Sequence, residues 1–217
     1  MIRENVQKIL SALPAGVQLL VASKSRTTRE IQEAIDAGAR VFGENYVKEA
    51  QEKIAVLGKS VQWHCIGHLQ KNKAKLAARL FDTIETLDSL ELAKLLDKEC
   101  AALGKKIKVF IEINSGQEAQ KSGVYPDQLM DFIAALKGCA SLNVAGLMTM
   151  GPATTGAEEI RPYFKLTREL FLKVRHAYPQ LDEFRELSMG MSDSYTIAIE
   201  EGATMVRLGN SIFGSGR

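Results

Sequence analysis

In the run Val17-Gln18-Leu19-Leu20-Val21-Ala22-Ser23-Lys24-Ser25-Arg26-Thr27-Thr28-Arg29-Glu30-Ile31, an apolar segment gives way abruptly to a polar loop and then to a helix start. Residues 17–22 are short and almost continuously apolar, the pattern of a parallel strand covered on both faces. Thr27 and Glu30 match a capping box for a helix that carries Ile31, Ala34 and Ile35 and stops at Gly38. The result is one strand-loop-helix unit with Lys24 in its loop.

The same unit recurs on the carboxyl side. Further strands are expected at 41–42, 61–66, 81–87, 107–113, 142–148, 184–188 and 205–208. Helices are expected at 47–57, 69–80, 89–103, from Pro126 to Gly138, at 157–178 and at 193–201. On the amino side, Ile2, Val6, Ile9, Leu10 and Leu13 fall at helical spacing before Pro14 and Gly16, which adds an N-terminal helix. About eight strands in strict alternation with helices favour a closed (β/α)8 TIM barrel, with a doubly wound open sheet as the other arrangement. Ala34-Ile35 with Gly38-Ala39, Val41 and Gly43 is echoed by Ala198-Ile199 with Gly202-Ala203, Val206 and Gly209, as two helix-turn-strand units would share. No linker or low-complexity tract divides the chain, so residues 1–217 read as a single domain.

Composition narrows the function classes. Of 217 residues, 46% are hydrophobic and 25% charged, a globular balance with room for a sizeable core. The 28 basic and 26 acidic residues leave a formal charge of +2, which supplies no electrostatic case for nucleic acid or an anionic membrane as partner. Met1-Ile2-Arg3-Glu4-Asn5 carries an acid and no apolar leader core, and no apolar run nears the roughly twenty residues that cross a bilayer, so a cytoplasmic chain is expected. Cys65, Cys100 and Cys139 are odd in number and widely spaced, which fits reduced structural thiols.

In a β/α barrel, chemistry gathers at the carboxyl ends of the strands. Lys24 leaves a fully apolar strand there. Its position leaves two readings open, an amine whose burial equips it to attack carbonyls and a lysine that points into solvent. Leu187-Ser188-Met189-Gly190-Met191-Ser192-Asp193-Ser194 is a loop with a glycine and three hydroxyls opening onto a helix, which reads as an anion site or as a plain serine cap. The next strand-helix loop, Arg207-Leu208-Gly209-Asn210-Ser211, tips the balance, because phosphate sites in this fold are often built from the loops after strands seven and eight. An amine at the first strand and a phosphate cradle at the last two are neighbours across the barrel seam. That pairing suits a small phosphorylated aldehyde.

Over its whole length the chain resembles the pyridoxal phosphate homeostasis protein family, whose barrel is similar to the amino-terminal domain of alanine racemase. The matching segments are Val21-Ala22-Ser23-Lys24, Phe42-Gly43-Glu44-Asn45-Tyr46, Trp63-His64-Cys65-Ile66-Gly67-His68-Leu69-Gln70 with Asn72-Lys73, Gly146-Leu147-Met148-Thr149-Met150, Leu187-Ser188-Met189-Gly190-Met191-Ser192-Asp193, and Met205-Val206-Arg207-Leu208-Gly209 with Ile212-Phe213-Gly214. The resemblance implies pyridoxal 5′-phosphate as cofactor, held as a Schiff base on Lys24, with its phosphate on Ser192, Gly209 and Asn210. Asn210 stands where family members often carry threonine, serine or arginine, so its backbone N–H is the contact implied. Arg207 would face the pyridine nitrogen, and Asn45 and Met148 would flank the ring or its oxygen. A guanidinium only donates, so the ring nitrogen would stay unprotonated and the cofactor would be a weak electron sink.

The leading expectation is therefore a cytoplasmic carrier or buffer of the cofactor without robust catalysis, a monomer or weak dimer that serves cofactor-dependent apo-enzymes. An amino-acid racemase is the alternative; such enzymes take a second base from a further domain, and this chain stops at Arg217. A Schiff-base aldolase is a third reading. His64 and His68 are spaced for metal ligation but sit around Gly67 in a strand-like context. Glu44, Asp88 and Glu112 are acid/base candidates that ion pairs with lysines explain as well.

Overall fold

Each apolar run becomes one strand of a single closed sheet. The strands are β1 Gln18–Ala22, β2 Val41–Glu44, β3 Gln62–Cys65, β4 Thr83–Leu87, β5 Ile107–Glu112, β6 Leu142–Met148, β7 Glu186–Ser188 and β8 Met205–Leu208. Every pairing is parallel, and β8 closes on β1 with Gln18 opposite Met205 and Val21 opposite Leu208. The open-sheet alternative is thereby set aside. The computed structural model describes residues 1–153 and 156–214; the remaining positions of the 1–217 domain reading lie outside the described residues.

Parallel strands require crossovers, and these are helical. The helices are α1 Ile2–Ala12, α2 Thr28–Asp36, α3 Val47–Leu57, α4 Ala74–Leu80, α5 Leu90–Ala102, α6 Leu129–Ala135, α7 Arg161–Ala177, α8 Tyr195–Glu200 and α9 Asn210–Phe213. The capping box forms: Thr27 Oγ1 accepts from the Glu30 N–H, and Glu30 Oε2 accepts from the Thr27 N–H. Because strand side chains alternate, Leu19 and Val21 pack outward with Val6, Ile31 and Ala34 beneath the helices. Leu20 points the other way, into a separate cluster with Val41, Phe110, Ala145, Met148 and Met205 that fills the barrel interior.

Differences from the expected boundaries have local causes. The helix expected at 69–80 opens as a tight 3-10 turn over Lys71–Lys73, and that at 157–178 opens over Ala157–Ile160. The strand expected from 81 begins at Thr83; just before it, the Asp82 N–H donates to the Trp63 carbonyl and the Asp82 carboxylate accepts from the Trp63 N–H. Helix α9 was not anticipated; four residues are too few to carry a periodic signal.

Candidate functional site

Closure of β8 on β1 brings the loops after β1, β7 and β8 around one cleft of about 950 Å³. Lys24, Ser192, Arg207, Gly209 and Asn210 all line it. So do Arg26, Thr27, Glu30, Met191 and Phe213.

Lys24 itself is exposed, so burial is not what equips it; its setting is the rigid loop that presents it. The residues on either side are tied down. Ser23 is fully buried, and its hydroxyl donates to Glu44 Oε1 at 2.5 Å. Lys53 Nζ, on α3, donates to the Ser23 carbonyl at 2.6 Å and to Glu44 Oε1 and Glu49 Oε1 at 2.7 Å each. Glu49 Oε1 also accepts from the Ser25 N–H at 2.6 Å. Ser25 takes a φ of 59°, the left-handed region where non-glycine residues are uncommon. Burial pushes the Glu44 carboxyl up against the pull of Lys53 and Ser23. Glu44, read from sequence as an acid/base candidate, is thus the anchor of a buried ion pair below Lys24.

On the opposite wall, Ser192 Oγ accepts from the Ser211 N–H at 3.2 Å and so joins the β7 and β8 loops. The Ser192 hydroxyl hydrogen and the backbone N–H groups of Ser192 and Asn210 have no acceptor among the described residues. Gly190 shapes this loop at φ 92°, where an added Cβ would lie 2.5 Å from the Ala198 methyl. A Cβ on Gly209 would crowd the Ala22 carbonyl at 3.1 Å, at the point where the backbone borders the cleft.

Between these walls sits Arg207, 4% exposed. Its Nη1 donates to Ser188 Oγ at 2.7 Å, and its Nη2 donates to the Thr149 carbonyl at 2.8 Å and to Met150 Sδ at 3.2 Å. The Nε–H and the second Nη1 hydrogen have no acceptor among the described residues. A buried cation with spare donors at a cleft suits a ligand atom that can only accept, such as an unprotonated pyridine nitrogen. Free donors from two loops and a primary amine in the same cleft suit a phosphate and an aldehyde. The residues present therefore fit pyridoxal 5′-phosphate.

The model of the alanine racemase N-terminal domain matches residues 1–216. The pyridoxal phosphate homeostasis protein of Escherichia coli strain K12 is 40% identical over 211 residues, covering 93% of this chain and 87% of the relative. That of Pasteurella multocida is 36% identical over 220 residues, covering 99% and 94%. The chain belongs to the pyridoxal phosphate homeostasis protein family. PipY of Synechococcus elongatus, solved with PLP bound, superposes with a TM-score of 0.91 at 36% identity over 99% of this chain and 100% of that one. Alanine racemase from Corynebacterium glutamicum, at 20% identity and a TM-score of 0.78, shares the fold, and this chain covers 60% of it.

The other residues inferred from the family resemblance fall outside the cleft lining. Met148 is fully buried in the inner apolar cluster. Asn45 is half-buried after β2, and its backbone packs so closely on Gly67 that a Cβ there would lie 2.4 Å from the Asn45 carbonyl. His64 and His68 part company: His64 is buried against Glu85, whereas His68 pairs with Asp88 on the exposed rim. The three cysteines are free and buried. Arg26 is one of several cleft residues that the sequence does not single out as site residues. Its guanidinium lies 5.1 Å from the Phe213 ring centroid, and Nη2 donates to the Gly214 carbonyl at 3.0 Å. The available signal was its position two residues after Lys24 in the same loop.

Glu112 ends β5 beside a second cavity of about 360 Å³. Its Oε2 is buried without a hydrogen-bond partner among the described residues, and burial, with Asp88 nearby, pushes the carboxyl from its ordinary 4.5 up to about 7. The folded chain therefore holds this proton more tightly than the unfolded one. Stability should fall as pH rises from about 4.5 to about 7, by on the order of 3 kcal/mol from this group. Thermal melts of Glu112→Gln and wild type should show the variant gaining relative stability between about pH 5 and 8; a pH-independent difference would contradict the assignment.

Proposed function

We propose that the chain binds pyridoxal 5′-phosphate in the cleft between β1, β7 and β8 and carries or buffers it in intracellular cofactor homeostasis, without robust turnover of its own. The observation that carries this reading is the convergence of Lys24, buried Arg207 and the Ser192 and Asn210 N–H groups on one cavity. It is supported by the names of the relatives at 36–40% identity and by PipY solved with PLP bound. When bound, the group supplies an aldehyde that a primary amine captures reversibly with release of water. Lys24 is that amine. Ser192, Gly209 and Asn210 hold the phosphate through a hydroxyl and backbone N–H groups, and Arg26, whose charge Glu30 offsets at 3.7 Å, stands at the mouth. Arg207 donates to the ring nitrogen and keeps it unprotonated, which suits holding the cofactor rather than driving carbanion chemistry. The family resemblance would set Asn45 and Met148 beside the ring or its oxygen, and neither lines the cleft.

On this reading residues 1–217 form one cofactor-binding domain, a cytoplasmic monomer or weak dimer that hands its load to apo-enzymes using the same cofactor. Among the described residues no helix is long and apolar enough to cross a bilayer. Mixing purified protein with pyridoxal 5′-phosphate should produce a visible absorption band, and adding an apo-enzyme should lower that band as enzyme activity appears. A protein that develops no band sinks the binding; a band that persists beside an inactive apo-enzyme sinks the delivery.

A further inference from the structure

Four polar side chains from four strands meet inside the barrel above its apolar floor: His64 on β3, Glu85 on β4, Ser188 on β7 and Arg207 on β8, none more than 4% exposed. Arg207 Nη1 donates to Ser188 Oγ at 2.7 Å, and Ser188 Oγ donates to Glu85 Oε2 at 2.7 Å. Glu85 Oε1 lies 2.7 Å from His64 Nδ1. The proton order follows from the first donor. A guanidinium has no lone pair to offer, so Ser188 accepts from it and has its own hydrogen left for Glu85. His64 then donates to the remaining oxygen of the carboxylate, which leaves Glu85 satisfied at both ends.

A guanidinium and a carboxylate in direct contact form a two-pronged fork that consumes parallel N–H donors. Ser188 prevents that by holding Glu85 and Arg207 one hydroxyl apart. Burial pushes Arg207 down and Glu85 pulls it back, so the carboxylate still offsets the cost of a buried cation. The Nε–H and the second Nη1 hydrogen thus keep no acceptor among the described residues, and Arg207 lines the cleft. His64 stops the carboxylate from rotating toward Arg207. On the cofactor reading of the cleft, we infer that Ser188, Glu85 and His64 are positioning residues that aim Arg207 at the cofactor's ring nitrogen.

Ser188→Ala removes the spacer and leaves both charged groups. It should weaken retention of pyridoxal 5′-phosphate about tenfold, as for one lost charge-assisted hydrogen bond. It should also displace the NMR shift of the isotope-labelled ring nitrogen, while borohydride still attaches the cofactor to Lys24. Ser188→Thr restores the hydroxyl and should return both readouts toward wild type. Glu85→Gln keeps the shape without the charge and should displace the nitrogen shift too; if that variant does not fold, the serine pair decides. Unchanged shift and retention in Ser188→Ala, in a wild type that binds, overturns the positioning role alone. A wild type that takes up no cofactor overturns the cofactor reading as well.

Discussion

Lys24→Ala is expected to abolish covalent retention of pyridoxal 5′-phosphate completely while leaving the fold intact. Lys24 is exposed and has no hydrogen bond or ion pair with the described residues, so its removal should cost less than about 0.5 kcal/mol of stability. The loop that presents it is fastened by Ser23 and Ser25 and does not depend on the Lys24 side chain. Wild-type protein treated with the cofactor and then sodium borohydride should carry a fixed mass increment on the peptide containing Lys24, and the variant should carry none. Weaker, dialysable binding should survive in the variant, because the donors of Ser192, Asn210 and Arg207 are untouched. An adduct that persists in Lys24→Ala, or moves wholesale to another lysine, would show that a different amine holds the cofactor.

Lys53→Met is expected to destabilise the protein by about 3–5 kcal/mol, since it leaves Glu44 buried without its cation. Lys53 is 5% exposed and Glu44 0%, and the same ammonium also satisfies the Ser23 carbonyl and Glu49. For a chain of this size such a loss lowers the melting temperature by roughly 10 °C. Replacing both partners, as Lys53→Met with Glu44→Leu, should recover much of the loss, because the stranded charge is then gone. Calorimetry of the single and double variants checks both statements. A single variant within 1 kcal/mol of wild type would mean that water reaches Glu44 and the clamp is not a buried pair. The single variant should also loosen the Lys24 loop, seen as slower borohydride fixation at equal cofactor loading.

Much of this was legible in the chain. Residues 17–22 and 107–113 announced strands because their short, mostly apolar runs suit a parallel strand covered on both faces, with Gln18, Lys108 and Glu112 as the polar exceptions. The Thr27 and Glu30 capping box was readable because its partners are three residues apart, and it forms as spelled. Lys24, Ser192 and Gly209 are legible because they stand in the loops that follow strand ends. Asn210 is legible beside Gly209 in the loop after the last strand, whereas the roles of Arg207, Asn45 and Met148 come from family resemblance; Arg207 and Asn210 line the cleft and Asn45 and Met148 do not. The buried network was not legible. Glu85 and His64 lie 21 residues apart and Ser188 a further 103 beyond Glu85, and no spacing rule links them.

What the sequence by itself determined is the order of the strands and of helices α1–α8, because helix and strand periodicities and caps are local properties of neighbouring residues. It also determined which loops carry an amine and which carry hydroxyls and glycines. Only the tertiary structure decided that β8 pairs with β1, which sets Lys24 opposite Ser192 and Asn210. Only it decided that Lys24 is exposed, that Lys53 is buried, and that one serine separates Arg207 from Glu85. The reason is physical: the burial of a charge and the partner that compensates it are fixed by which strands become neighbours, and closure of the barrel makes neighbours of residues that the chain keeps far apart.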